Sequence, residues 1–317
     1  GSDFTIPDGL SVLISSCSID PNTYGTIYVP TNTELIFADS DMQIRVGNIH
    51  VNGGHLWIGS ESCRIYSHIT ITLDDSASTI SQLVGRKGIS STGSGVIDMH
   101  GKLFQQTWTR IAAPALVNDD RVLLMEDINW EVGQQVALIT TIWDDHRNPQ
   151  NEVLTIAAID GRKVQFEERI QYYHHAGEEY QAEIALLSRR ILIQGDEASE
   201  DSHVGGHILS SGDIGRFSGV QAYRMDQTNV LARYPFHFHM MDDSPESYFR
   251  DCSVYHSFYR CFTIHGTHSA MLSRNTAFDV LGHCFYIEDG VEELNTFEYN
   301  LAAYPQPLEE IYFYANG

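Results

Sequence analysis

Apolar and polar positions alternate in short runs through the first hundred residues and never settle into helical spacing. SVLIS (11–15), TIYV (26–29), ELIF (34–37), QIRV (43–46), NIHV (48–51), HLWIG (55–59) and RIYSHITITL (64–73) follow one another at intervals of about 8 residues, punctuated by Gly, Asn, Asp or Pro. β-branched and aromatic side chains fill these runs, which favours strands. No stretch holds a 3.6-residue period over several turns, so the chain is predicted to be all-β.

A sandwich of hairpins would need type I′ turn dipeptides between such strands, and only Asn52-Gly53-Gly54 supplies one here. What recurs instead is a longer unit. PFHFHMM (235–241), CFTIHGT (261–267) and CFYIEDG (284–290) carry apolar residues in matching phase: Phe236 and Phe238, Phe262 and Ile264, Phe285 and Ile287. FRDCSVYHSF (249–258) and LSRNTAFDV (272–280) lie between them. One strand per repeat in constant phase is the signature of a parallel β-helix, expected here to be right-handed.

In such a helix equivalent residues of successive coils stack ~4.8 Å apart. With the Phe and Ile positions inward, the outward columns read His237, Thr263, Tyr286 and, beside it, His239, His265, Glu288. His239, His265 and Glu288 are thereby a candidate divalent-metal set, zinc by residue type, or an acid/base group beside an orienting carboxylate. The other reading is a polar ladder without chemistry. Glu288 or Asp289, with His265, form the candidate catalytic set; His237, His239, Tyr286, Arg233 and Arg224 form the candidate substrate-binding set, the arginines suited to a carboxylate-bearing sugar. Asp242 and Asp243 add oxygens of the kind calcium takes. His207 is expected on the same face one or two coils earlier, His283 in a turn, and His174-His175 in an exposed loop.

Residues 102–187 interrupt the pattern. WTRIAAPALVNDDRVLLMEDINWEVGQQVALITT (108–141) and NEVLTIAAIDGRKVQFEERI (151–170) read as an antiparallel excursion with a turn at Asp160-Gly161, and coils resume at ALLSRRILIQGD (185–196). The expected division is an N-terminal β module at 1–110, the excursion at 111–187 and helix coils at 188–317.

Composition narrows the functional classes. The chain has 317 residues, 42% hydrophobic and 19% charged, with no run near the ~20 apolar residues of a membrane helix. A formal charge of −23 makes nucleic acid a poor partner. Nothing at the start reads as a signal peptide, and Gly1-Ser2 resembles a cloning scar, so a removed leader is expected. The five cysteines form no CxxC, which argues against a zinc knuckle; Cys17 with Cys63 is a conceivable disulfide. GxSxG, GxGxxG and Walker patterns are missing, so serine-elbow and nucleotide chemistry are not expected.

RYPFHFH (233–239), FYRCFTIHGTH (258–268) and LGHCFYIEDGVEELNTFEYNL (281–301) resemble the β-helix of the family containing cell-surface hyaluronidase, the cell migration-inducing hyaluronan-binding protein and fibrocystin-like receptors. Upstream, LWIGSESCRIYSHITITL (56–73), VIDMHGK (96–102) and TWTRI (107–111) resemble the eight-conserved-glycine domain of those proteins. EIALLSRRILIQGD (183–196) and GGHILSS (205–211) are similar to further stretches of them in the same order. The resemblance implies an extracellular or cell-surface protein whose partner is a polysaccharide or a surface protein, with calcium as the implied cation. It places the candidate site on His237, His239, His265, Glu288 and Asp289, and a second on Arg64 and Asp74-Asp75. The short MMDDSPESYF loop, Ala232 before RYP, and a helix that runs further in the family depart from its pattern. Two functions are carried forward: a hyaluronidase-like enzyme or glycan binder, and a non-enzymatic surface-recognition fragment.

Overall fold

The computed structural model describes residues 1–17, 24–74, 85–143 and 147–307. Nearly all its elements are strands, and those outside the excursion lie on three faces of a parallel coil. The first face sets Gly88–Thr92, His207–Ser211, Phe236–Asp243, Phe262–His268 and Phe285–Ile287 side by side. The second holds Ile69–Leu73, Ile191–Gly195, Val220–Tyr223, Ser253–Ser257, Thr276–Val280 and Leu301–Pro305. The third runs from Ser11–Ile14 to Thr296–Glu298. The long strand Met42–Asn52 rounds a corner, its first half pairing with Ile69–Leu73 and its second with Gly88–Thr92. Each later coil visits the second, first and third faces in turn, which is the predicted parallel β-helix. Stacking is continuous across the interruption, since Ile69–Leu73 pairs with Ile191–Gly195 and Gly88–Thr92 with His207–Ser211.

The excursion is a six-stranded antiparallel sheet from Trp108 to Leu186 around its own core of Val136, Leu138, Ile156 and Ile184. The Asp160-Gly161 turn is present, with Gly161 in the left-handed region at φ 58° joining Glu152–Asp160 to Lys163–Phe166. Asn52-Gly53 makes no hairpin. It is a corner between the first and third faces: Gly53 has φ 82°, and a Cβ there would sit 2.4 Å from Thr31 Oγ1.

Inside the coil the predicted inward residues stack. The Phe262 ring lies between those of Phe236, at 5.0 Å and 3°, and Phe285, at 5.2 Å and 5°. Phe249 reaches in from the third face against Phe238 at 3.9 Å. Phe236, Phe238, Phe262 and Ile264 are fully buried, whereas Ile287, on the strand with a neighbour on one side only, is 39% exposed.

Three expectations fail. The column of His237, Thr263 and Tyr286 does not face solvent: His237 and Thr263 are fully buried, because the segment before Phe236 folds over the first face and lays the Tyr234 ring 4.7 Å from that of His237. His174 is no exposed loop residue. It is buried, with Nδ1 at 2.8 Å from the Ile139 carbonyl and Nε2 at 2.9 Å from Glu152 Oε1. Cys17 and Cys63 are exposed free thiols and form no disulfide. Among the described residues no helix is long and apolar enough to cross a membrane.

Phe262→Ala removes the middle of the ring stack, and a loss of about 3–5 kcal/mol in unfolding free energy is expected from chemical denaturation. A loss below about 1 kcal/mol would mean that the ladder is not the spine of these coils.

Candidate functional site

Register builds the site. Pairing of Phe236 with Phe262 carries His239 opposite His265, and pairing of Phe262 with Phe285 carries Ile264 opposite Ile287. The Glu288 N–H then donates to the Ile264 carbonyl at 2.9 Å, one step along from that pair. His265 Nδ1 lies 3.0 Å from His239 Nδ1, so one ring donates to the other. His237, the next residue but one along the strand, joins them from beneath the covering segment: one ring nitrogen from each of His237, His239 and His265 falls within 4.8 Å of the other two.

The carboxylate of Glu288, with an 18% exposed side chain, closes the group. Its Oε2 is 3.8 Å from His265 Nδ1 and 3.9 Å from His237 Nε2, and neither Oε2 nor His237 Nε2 has a hydrogen-bond partner despite burial. Its Oε1 accepts from the Tyr234 hydroxyl at 3.3 Å and lies 3.7 Å from Arg260 Nη1. Asp289 sits at the rim, half exposed, with Oδ2 at 3.1 Å from His265 Nε2.

Two buried polar atoms facing each other without partners, beside two further imidazole nitrogens, suit a cation that would satisfy both. A nitrogen-rich set with one carboxylate is the donor chemistry of zinc and its neighbours, not of calcium, which prefers oxygens. Asp242 and Asp243 do not enrich it in oxygen: they are exposed, further along the strand, opposite Thr267 and His268. Protonation also favours metal. Burial, then the neighbouring imidazoles, hold His237 well below the usual histidine range, and burial followed by His265 lowers His239, so both rings are neutral at pH 7.

The structure supplies partners that the repeat did not reveal. The Arg260 guanidinium is boxed by the rings of Tyr234 and Tyr286, each 4.6 Å away, and Tyr259 at 5.1 Å. Its Nη1 donates to the Tyr234 hydroxyl. The backbone N–H of Arg260 donates to buried Asp226, 2.6 Å away. Tyr234 and Arg260 lie two residues before Phe236 and Phe262, so extending the phase upstream by two positions would have found both. Tyr286 is stacked on His283 and lies under the Arg260 guanidinium. Arg233 is half-buried against Gly85, where a Cβ would come within 2.5 Å of its Nε, and no carboxylate among the described residues pairs with it. His207 is on the same face one coil earlier, fully buried.

Arg224 does not join this group. It follows the second-face strand Val220–Tyr223, 3.9 Å from Glu200, which together with Asp279 clamps His256 at 2.9 Å and 2.7 Å. The hydrogen bond to Asp279 is the main reason the His256 imidazolium is favoured, up to about 9. The second candidate site also separates. Arg64 donates to the Gly101 carbonyl and Ser218, whereas Asp74, beyond the other end of Ile69–Leu73, pairs with Arg45. Asp75 lies outside the described residues.

Because His237 and His239 are lowered in the folded protein, their sign is that of a group charged only on unfolding. Above pH 6.5 both states are neutral; below it the unfolded chain binds protons that the folded chain refuses, and stability falls. The denaturation midpoint is expected to drop between pH 7 and pH 5, and to drop less in His237→Gln; an equal drop in both would show that the buried cluster does not govern this window.

The comparisons with known proteins cover the same two regions. The G8 domain matches residues 1–112 and the CEMIP beta-helix matches residues 203–312. Protein rliB of Dictyostelium discoideum is 46% identical over 312 residues, 97% of this chain and 28% of the relative. Communication mutant protein F of the same organism is 46% identical over 310 residues, 95% of this chain and 28% of the relative. Human fibrocystin-L is 28% identical over 326 residues, 86% of this chain and 8% of the relative. The chain thus spans about a quarter of the length of the Dictyostelium relatives it matches. A tailspike of an Acinetobacter baumannii bacteriophage aligns at TM-score 0.25 and 10% identity over 84% of this chain and 53% of that one, too low to bear on function. With both regions in order on one chain, this protein carries a G8 domain followed by a CEMIP beta-helix, the two family modules its sequence resembles.

Proposed function

We propose that this chain is the glycan-engaging part of an extracellular or cell-surface protein, with its chemical centre at His237, His239, His265 and Glu288. The observation that carries this reading is the pair of buried, unpartnered atoms, His237 Nε2 and Glu288 Oε2, in reach of two more imidazoles. These four side chains would hold a divalent cation of the zinc type, which when bound polarises an oxygen of the ligand or lowers the pKa of water. Arg260 and Tyr234 hold the Glu288 carboxylate in place. Asp289, exposed and beside His265 Nε2, is positioned to exchange a proton with a bound sugar, and Arg233 to receive a uronate carboxylate.

A non-enzymatic surface-recognition module is the second reading, and one observation favours it. His237 is fully buried and Glu288 largely so, which leaves little of the centre for a polymer to touch. In that case the cation would stiffen the coils.

Two measurements separate these readings. Zinc is expected to raise the thermal midpoint and EDTA to reverse it, with calcium having the smaller effect; no shift with any of them removes the metal. Hyaluronan incubated with the zinc-loaded protein is expected to shorten, at least about 100-fold more slowly with His265→Ala. Undegraded polymer in every lane, alongside a zinc shift, would leave the recognition module standing and end the enzyme reading.

A further inference from the structure

Three of the five cysteines, Cys252, Cys261 and Cys284, are buried in the coil core, and two of them face each other. Phe262 pairs with Phe285, so one step back along both strands Cys261 stands opposite Cys284. Two backbone hydrogen bonds bracket the pair: the Cys261 N–H donates to the His283 carbonyl at 3.1 Å, and the Phe262 N–H to the Cys284 carbonyl at 3.0 Å. The two thiols are in hydrogen-bonding reach of each other. Adjacent parallel strands run ~4.8 Å apart, inside the ~4.4–6.8 Å that separates the Cα atoms of bonded cysteines. A bond between them therefore needs side-chain rotation and no change of register.

Cys252 is placed otherwise. Val220 and Asn275 stand opposite it on the neighbouring coils, and its Sγ points at the carbonyls of Arg250, 3.3 Å away, and Phe217, 3.6 Å away. The surroundings decide what the facing pair can do. Burial above all holds the Cys261 thiol well above its usual range, and the Cys284 thiol and the buried Asp226 carboxyl act in the same direction. Thiolates are disfavoured there, and with them a metal–thiolate site. A disulfide carries no charge, so the apolar core accepts it. Cys261 is fully buried and Cys284 8% exposed, so an oxidant reaches Cys284 first, and most readily while the coils assemble.

We infer that Cys261 and Cys284 are a redox pair that closes into a disulfide and staples two consecutive coils. With oxidised glutathione as the oxidant, the Cys284 sulfur attacks one of its sulfurs and the first glutathione leaves as a thiol; the Cys261 sulfur then attacks Cys284 Sγ and the second leaves. Two protein S–H bonds and the oxidant's S–S bond break, one protein S–S bond and two glutathione S–H bonds form, and both electrons and both protons pass to glutathione. The staple ties the coil of Arg260 to the coil that leads to Glu288, and it needs neither a metal nor a glycan. Its formation is independent of the function proposed above; only an oxidising location for the native protein comes from that reading.

The test uses the whole chain with Cys17→Ser and Cys63→Ser, which removes the two exposed thiols. It is refolded from denaturant in a mixture of reduced and oxidised glutathione, beside a sample kept in dithiothreitol, and portions of both are unfolded and alkylated. In the oxidised sample a single alkylated thiol, a mass lower by about 2 Da before alkylation, and a linked peptide pair containing Cys261 and Cys284 are expected. Its thermal midpoint is expected to exceed that of the reduced sample by about 5 °C, the scale of closing a loop one coil long. Adding Cys284→Ala, or Cys261→Ala where that variant does not fold, is expected to abolish both the mass loss and the difference in midpoint. Three alkylated thiols, a link that includes Cys252, or a midpoint unchanged or lowered by oxidation would each overturn the assignment.

Discussion

The register of one aromatic ladder fixes nearly everything else in this molecule. Phe236, Phe262 and Phe285 stack almost parallel at about 5 Å, and each ring hides from water a surface worth about 2–3 kcal/mol. A slip of one residue in Phe236–Asp243 or Phe262–His268 would turn its ring out and bring His237 and His239, or His265, toward the apolar interior. The cost of that slip is the reason imidazoles 26 residues apart, His239 and His265, meet at 3.0 Å. The site is a by-product of the same stacking that builds the core.

Burial then gives the cluster its character. A histidine column open to water would titrate near its usual range and bind its neighbours weakly. The segment carrying Tyr234 covers the column and desolvates His237, and the boxed Arg260 supplies the positive charge that keeps a carboxylate tolerable nearby. The result is a nitrogen-rich pocket with a carboxylate whose Oε2 is unengaged, under a rim where Asp289 remains in solvent.

The antiparallel excursion plays a different part. It is locked to the coil at several points: Thr107 Oγ1 donates to the Arg274 carbonyl at 2.7 Å, Trp108 Nε1 to that of Tyr299 at 2.8 Å, and Ser253 Oγ to that of Leu187 at 2.6 Å. Ala137, Ile139 and Leu187 add an apolar seam with Phe278 and Ala303. Held this way, the sheet forms a wall beside the second face, and a cleft of about 700 Å³ lies between them.

The alternation of apolar positions and the matched phase of PFHFHMM, CFTIHGT and CFYIEDG determined the strands, the parallel stacking and the partnership of His239, His265 and Glu288, because a period-2 pattern repeated once per coil admits few registers. The Asp160-Gly161 turn was legible for a local reason, since a left-handed residue needs glycine. What the pattern could not carry was anything that approaches from another face or another part of the chain. The cover over His237, the tyrosine box around Arg260, the burial of His174 and the departure of Arg224 to Glu200 all depend on where connecting segments fall. Those segments have no period, and their positions follow from packing over the whole coil. Sequence spacing fixes which residues share a column; only the folded surroundings decide whether that column meets water, a charge or another ring.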